Sequence, residues 1–248
     1  MNILVTNDDG IHAPGIRALS AAFSSLGTVT VVAPDRERSA VGHALTLHHP
    51  LRVFPLQERQ FAVDGTPTDC VNLGINHLLT VKPDIVVSGI NRGANLADDV
   101  TYSGTVSAAL EATLMGIPAM AVSLVTLSSG THYDAAAAAA VRIATSIASF
   151  GLPPDTFLNV NVPDLPASEL RCPLVTCQGK RRYGGSIVAK TDPRGGSYYW
   201  IGGGESDFLD QEGTDYHAVA RGHISVTPLH FDMTNHRSLE ILSRWQLS

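Results

Sequence analysis

Two neighbouring carboxylates, Asp8 and Asp9, stand in the segment Asn7-Asp8-Asp9-Gly10 directly after an apolar run, Ile3-Leu4-Val5-Thr6. Adjacent carboxylates repel each other unless a cation or hydrogen-bond donors offset the charge, so a hard divalent ion is a natural partner. The plainer alternative is that one Asp caps the following helix and the other is solvated. Three more segments carry related chemistry. Pro34-Asp35-Arg36-Glu37-Arg38-Ser39 is a charged loop ending in a hydroxyl, and alone it reads as a solvated surface turn. Ser88-Gly89-Ile90-Asn91-Arg92-Gly93-Ala94-Asn95 has glycines that permit close backbone approach and two Asn amides, or is simply a glycine-containing turn. Asp98-Asp99-Val100-Thr101-Tyr102-Ser103-Gly104-Thr105 opens into a helix, where N–H groups and hydroxyls suit phosphate, with capping by Ser103 or Thr105 as the alternative.

Convergence of these segments would shift the balance. Carboxylates, amide oxygens and hydroxyls without a His/Cys zinc set form an oxygen-ligand site for Mg²⁺ or Mn²⁺ beside a phosphate pocket. Competing signatures are missing: the chain has no Walker loop, no G-x-G-x-x-G after the first apolar run, no G-x-S-x-G around Ser39 or Ser103, and no H-E-x-x-H. Among the histidines, His12 and His43 are the candidates for substrate contact; the rest read as surface or core-satisfied residues.

Positioning these residues requires a scaffold, and the flanking patterns supply one. A buried parallel strand over 3–6, a helix opened by Pro14 with Ile16, Leu19, Phe23 and Leu26 on one face, and a strand over 29–33 form a βαβ unit. An irregular stretch follows at 35–60. Thr66, Pro67 and Asp69 supply an N-cap, an N1 proline and an N3 carboxylate for a helix to about Leu79. Strands are predicted over 84–88, 119–124 and 157–162, and helices over 103–115 and 134–149, the latter with a six-alanine run. This alternation predicts an α/β fold: a three-layer, Rossmann-like, mostly parallel sheet whose ligands bind beyond the carboxyl ends of the strands. After Pro163 the texture changes to glycine clusters at 184–185, 195–196 and 202–204, a strand over 198–201 and a last helix over 235–245. The chain therefore divides into a Rossmann-like core, 1–163, and a β-rich C-terminal extension, 164–248, serving as an oligomerisation arm or as a subdomain over the sheet edge.

Composition narrows the class. The 248 residues carry 17 Lys+Arg against 23 Asp+Glu, a net charge of −6, which argues against binding nucleic acid or an anionic membrane surface. With 44% hydrophobic residues the chain can bury a sizeable core. Cys70, Cys172 and Cys177 are too few for a disulfide scaffold, and the N-terminus has no basic segment leading into a long apolar one, so a cytoplasmic, soluble protein is expected.

Taken in order, Asn7-Asp8-Asp9-Gly10 with Ala13-Pro14-Gly15, Ala33-Pro34-Asp35-Arg36 with Arg38-Ser39, Gly65-Thr66-Pro67-Thr68-Asp69-Cys70-Val71, Ser88-Gly89-Ile90-Asn91 and Tyr102-Ser103-Gly104-Thr105-Val106 resemble the SurE family. The resemblance continues through Asn159-Val160-Asn161-Val162-Pro163, Asp192-Pro193-Arg194-Gly195 and Thr214-Asp215. The family comprises survival-protein 5′-nucleotidases, metal-dependent phosphatases of nucleoside monophosphates. The resemblance implies that Asp8, Asp9, Ser39 and Asn91 hold one divalent cation per subunit, and that Asn95, Ser103, Gly104 and Thr105 surround the phosphate. It also implies a homodimer or homotetramer in which the C-terminal extension is exchanged. Ala97 and Ala112 stand where the family pattern leads one to expect glycine, and Ala40-Val41-Gly42-His43 is one of several variants of its loop.

The expected reaction is hydrolysis of nucleoside 5′-monophosphates, extending to 3′-monophosphates and short polyphosphate. Asp8 and Asp9 are the catalytic candidates. The nucleophile is either water held by the cation, with Asp9 as base, or an Asp carboxylate attacking directly. A nucleotide-binding sensor without turnover, and a phosphatase acting chiefly on polyphosphate or sugar phosphates, would share the same residues.

Overall fold

The computed structural model describes residues 1–126, 132–182, 187–201 and 207–245; the glycine clusters at 184–185 and 202–204 lie outside these. In chain order the elements are β1 (Asn2–Thr6), α1 (Pro14–Phe23), β2 (Thr28–Pro34), β3 (Val53–Gln57), β4 (Gln60–Val63), α2 (Pro67–Leu73), β5 (Ile85–Arg92), α3 (Gly104–Leu114), β6 (Ala119–Val125), α4 (Tyr133–Phe150) and β7 (Thr156–Pro163). The extension adds β8 (Arg171–Val175), β9 (Arg181–Arg182), β10 (Ile187–Thr191), β11 (Ser197–Ile201), β12 (Asp207–Phe208), α5 (Asp215–Ala220), β13 (His223–His230) and α6 (His236–Leu242).

A nine-stranded sheet in the order β3-β4-β2-β1-β5-β6-β7-β13-β8 forms the middle layer. The central strands, from β4 through β7, are parallel, while β3 and β13 run antiparallel to β4 and β7. Burial on both faces explains why these strands read as continuous apolar runs. On one face Ile3 and Val5 of β1 pack with Ile16, Leu19 and Phe23 of α1 and the alanines of α4. On the other, Leu4 packs with Cys70 and Val71 of α2 and Ala108, Ala109 and Ala112 of α3. Small side chains on α3 and α4 let both helices lie close to the sheet.

Local chemistry starts these helices where the sequence indicates. Pro14 opens α1, Thr66 and Asp69 close a reciprocal capping box on α2, and the Ser103 hydroxyl accepts the Val106 N–H at the start of α3. Three expectations need correction. The helix from Thr66 is α-helical only through Leu73 and finishes as a π turn over Gly74–Leu78. The stretch 35–60 is not wholly irregular, because it contains β3, paired with β4 as a hairpin on the sheet edge. The strand over 84–88 does not end at Ser88: β5 continues to Arg92, with its register to β6 shifting between Ser88 and Asn91. A Cβ at Gly89 would lie 2.3 Å from the Val122 carbonyl oxygen, so glycine is what allows β5 to approach β6 there.

β1 lies between β2 and β5, so successive connections leave it in opposite directions. That reversal is the switch point at which open α/β sheets form a crevice. The extension returns to the sheet through β13 and β8, while β10 and β11 pair only with each other and carry the exposed Tyr198, Tyr199 and Trp200. No helix among the described residues is long and apolar enough to cross a membrane.

Candidate active site

At the carboxyl end of β1, next to the switch point, lies a cavity of about 410 Å³ lined by Asp8, Asp9, Glu37, Ser39, Ala40, Asn91, Arg92, Asn95, Asp99, Tyr102 and Ser103. The strand ends bring the four segments together. Asp8 and Asp9 follow β1, Asn91 is the next-to-last residue of β5, and the Ser39 loop is tied back by the Arg38 N–H donating to the Asp8 carbonyl at 2.8 Å.

The two carboxylates sit in different surroundings. Asp8 is buried, and burial pushes its carboxyl above the ordinary range; the Thr105 hydroxyl, 2.5 Å from Asp8 Oδ1, opposes that rise. Asp9 is half-buried and is pushed up to about 6, first by burial and then by the neighbouring Asp8 charge, while the Arg92 N–H donates to its Oδ2 at 3.0 Å. Two carboxylates that each resist ionisation, side by side at a strand end, form a site whose charge a cation would relieve. The remaining donors fit a hard ion. Asn91 spends its Nδ2 on the Gly93 carbonyl at 3.0 Å, which leaves Oδ1 as the available atom, and the Ser39 hydroxyl donates to Glu37 at 2.7 Å with its lone pairs still free for a ligand. Thr6, Asn7 and Ser88, at the same strand ends, each keep a buried side-chain oxygen without a hydrogen-bond partner. Among the described residues no group of three His, Cys, Asp or Glu side chains forms a metal cluster, consistent with a site in which two carboxylates work with a hydroxyl and an amide.

The four residues expected near phosphate separate. Ser103 and Asn95 line the cavity. The Asn95 amide donates to Ser123 Oγ at 2.8 Å, and its backbone is held by Asn159 and Asn161. Thr105 is fully buried with its hydroxyl turned onto Asp8, and a Cβ at Gly104 would stand 2.9 Å from the Asp8 Cβ, so both residues serve the fit of Asp8 against α3. His43 does not line the cavity. Its Nε2 is 2.8 Å from Glu111 on α3, and the His43 and Asn72 contacts hold the Glu111 carboxyl below its usual range. His12 likewise lies outside the cavity lining. Glu37, Arg92, Asp99 and Tyr102 are lining residues that sequence reasoning passed over. Their adjacency to Ser39, Asn91 and Ser103 was the available signal, and a charged loop looks like any solvated turn until its neighbours are known.

The model of the family described as survival protein SurE matches residues 3–185. The chain belongs to the SurE family. It is 71% identical over 248 residues to the 5′-nucleotidase SurE of Geobacter sulfurreducens, covering all of this chain and 95% of that one. It is 68% identical over 247 residues to the 5′-nucleotidase SurE of Geotalea daltonii, covering both chains in full. The crystal structure of the SurE protein from Aquifex aeolicus superposes with a TM-score of 0.89 at 45% identity, covering 98% of each chain. The SurE match thus spans both the parallel core and the extension, and the fold agrees with the mostly parallel α/β sheet expected from the alternating pattern.

Proposed function

We propose that this protein is a divalent-metal-dependent 5′-nucleotidase, hydrolysing nucleoside 5′-monophosphates to nucleoside and phosphate, with 3′-monophosphates and short polyphosphate as further substrates. The observation that carries the reading is the all-oxygen donor set of Asp8, Asp9, Ser39 and Asn91 on one wall of the cavity, with Asn95 and Ser103 beside it at the start of α3. The near-full-length relatives named 5′-nucleotidase SurE support the substrate class.

A Mg²⁺ or Mn²⁺ ion held by that set supplies neutralisation of phosphoryl charge and a more acidic water. The residues of the chain do the rest. Asp8, braced by Thr105, anchors one side of the donor set. Asp9, with its carboxyl near 6, can exchange a proton around neutral pH, as a general base requires. The Ser103 hydroxyl accepts from the Val106 N–H at 3.1 Å, so its own proton is free to donate to a phosphoryl oxygen, and the positive end of α3 favours charge that builds there. Apolar side chains exposed on the β10–β11 hairpin and on α6, among them Trp200, Leu239 and Ile241, support a homodimer or homotetramer joined through the extension.

Phosphate release from 5′- and 3′-mononucleotides, sugar phosphates and short polyphosphate, with Mg²⁺ or Mn²⁺ and again with EDTA, tests the reading. The expected result is EDTA-sensitive release that is strongest on 5′-mononucleotides. Nucleotide binding without release from any substrate would refute it in favour of a sensor.

A further inference from the structure

The loop 95–103, which carries Asn95 and ends at Ser103, is held from two sides. On the sheet side, Asn161 Oδ1 accepts the Asn95 N–H at 2.9 Å, and the amides of Asn159 and Asn161 donate to the Asn95 carbonyl. On the other side the C-terminal extension holds Ala97. Its N–H donates to Asp215 Oδ2 at 2.8 Å, and Gln178 Nε2 donates to its carbonyl at 3.0 Å. Ala97 has φ 51°, a left-handed conformation unfavourable for a residue with a Cβ, so the path of the loop there depends on those two bonds.

Asp215 is fully buried, and its other oxygen, Oδ1, accepts from Gly179 N at 2.9 Å and Tyr216 N at 2.8 Å. A Cβ at Gly179 would come within 2.8 Å of that oxygen, so glycine lets the extension close on the carboxylate. Arg181 adds a second tie, donating through Nη1 to both oxygens of Asp99 at 2.6 and 2.7 Å and through its backbone N–H to Asp98. Three N–H donors around one carboxylate set its chemistry. A neutral amide in its place can serve Gly179 and Tyr216 with its oxygen, but then turns an NH₂ toward the Ala97 N–H.

We propose that Asp215 is a positioning residue for phosphate-ester hydrolysis, tying the extension to the loop 95–103 so that Asn95 and Ser103 meet the phosphoryl group. The inference rests on the reading of Asn95 and Ser103 as the phosphate side of the cavity. Asp215→Asn breaks the loop bond while leaving those to Gly179 and Tyr216. With a nucleoside 5′-monophosphate and saturating Mn²⁺, the variant should show KM raised about tenfold, the loss of one hydrogen-bonding contact to substrate. Its calorimetric Mn²⁺ affinity should stay within about twofold of wild type, because Asp8, Asp9, Ser39 and Asn91 come from other segments.

A residue that only supports the fold would lower the melting temperature and the active fraction, so kcat would fall with KM unchanged, and that result overturns the proposal. Should Asp215→Asn fail to fold, Gln178→Ala removes only the bond to the Ala97 carbonyl, and the same KM criterion decides. Ser103→Ala separates the two failures. Unchanged KM in Ser103→Ala defeats the phosphate-side reading and this proposal with it, whereas raised KM there beside wild-type KM in Asp215→Asn overturns this proposal alone.

Discussion

Replacing Asp9 by Asn should make the metal-free protein more stable while abolishing its stabilisation by metal. The Asp9 carboxyl is pushed from its ordinary 3.8 to about 6 by burial and by Asp8, so the folded chain resists the charge that the unfolded chain carries freely. The sign follows directly. Between about pH 4 and pH 6 the folded state holds a proton that the unfolded state has lost, so stability falls as pH rises through this window and stays reduced at pH 7. A rise of about two pH units in pKa corresponds to about 3 kcal/mol, which we halve because solvent reaches this half-buried carboxylate and screens it. Asparagine keeps an oxygen for the Arg92 N–H and removes the charge. At pH 7 without metal, Asp9→Asn should therefore melt about 3–6 °C higher, at 2–4 °C per kcal/mol for a chain of this size. Mn²⁺ at about a hundred times its dissociation constant adds about 2.7 kcal/mol to the wild type, and this gain should vanish in the variant. Differential scanning calorimetry at pH 4, 5.5 and 7, with EDTA and with Mn²⁺, reads both effects. A metal-free variant that melts no higher than wild type at pH 7, or one that keeps the full Mn²⁺ shift, would refute the reasoning.

Thr105→Val keeps the shape of the buried side chain but removes the donor to Asp8; a hydrogen bond to a charged group is worth about 1.5–3 kcal/mol, so Mn²⁺ affinity by calorimetry should fall at least about tenfold, and unchanged affinity would show that Asp8 needs no brace. Gly15→Ala places a Cβ 2.0 Å from the Ile90 carbonyl where α1 crosses β5, and should cost about 1–3 kcal/mol in urea unfolding with no change in m-value; wild-type stability would mean that the crossing has room to spare. His43→Ala removes the contact with Glu111 and should speed amide hydrogen exchange at Gly42 and Thr46, whose N–H groups bond to the Tyr102 carbonyl and to Asp69; unchanged protection there would assign the anchoring of this loop to the remaining bonds alone.

The features legible in the sequence are those whose determinants are neighbours along the chain. The β1 run ends at the Asp8–Asp9 pair, the Thr66–Asp69 capping box starts α2, and Ser103 caps α3, because each of these depends on residues within a few positions. Strong apolar periodicity places the parallel core, and the reversal of strand order beside β1 puts the Asp8, Ser39, Asn91 and Ser103 segments around one crevice. By these means the sequence by itself determined the fold class and most of the cavity wall.

Which atom each side chain meets was decided only in three dimensions. Thr105 reads as a phosphate contact from its place at a helix start, yet its hydroxyl turns to Asp8, 97 residues away; His43 reads as a substrate contact, yet it meets Glu111, 68 residues away. The extension of β5 to Asn91 follows from a register shift against β6 that no run of residues announces, and Asp215 meets Ala97 across 118 residues. These partnerships depend on strand order and register, where a slip of one residue turns every side chain to the opposite face, so they exist only once the whole sheet has been assembled.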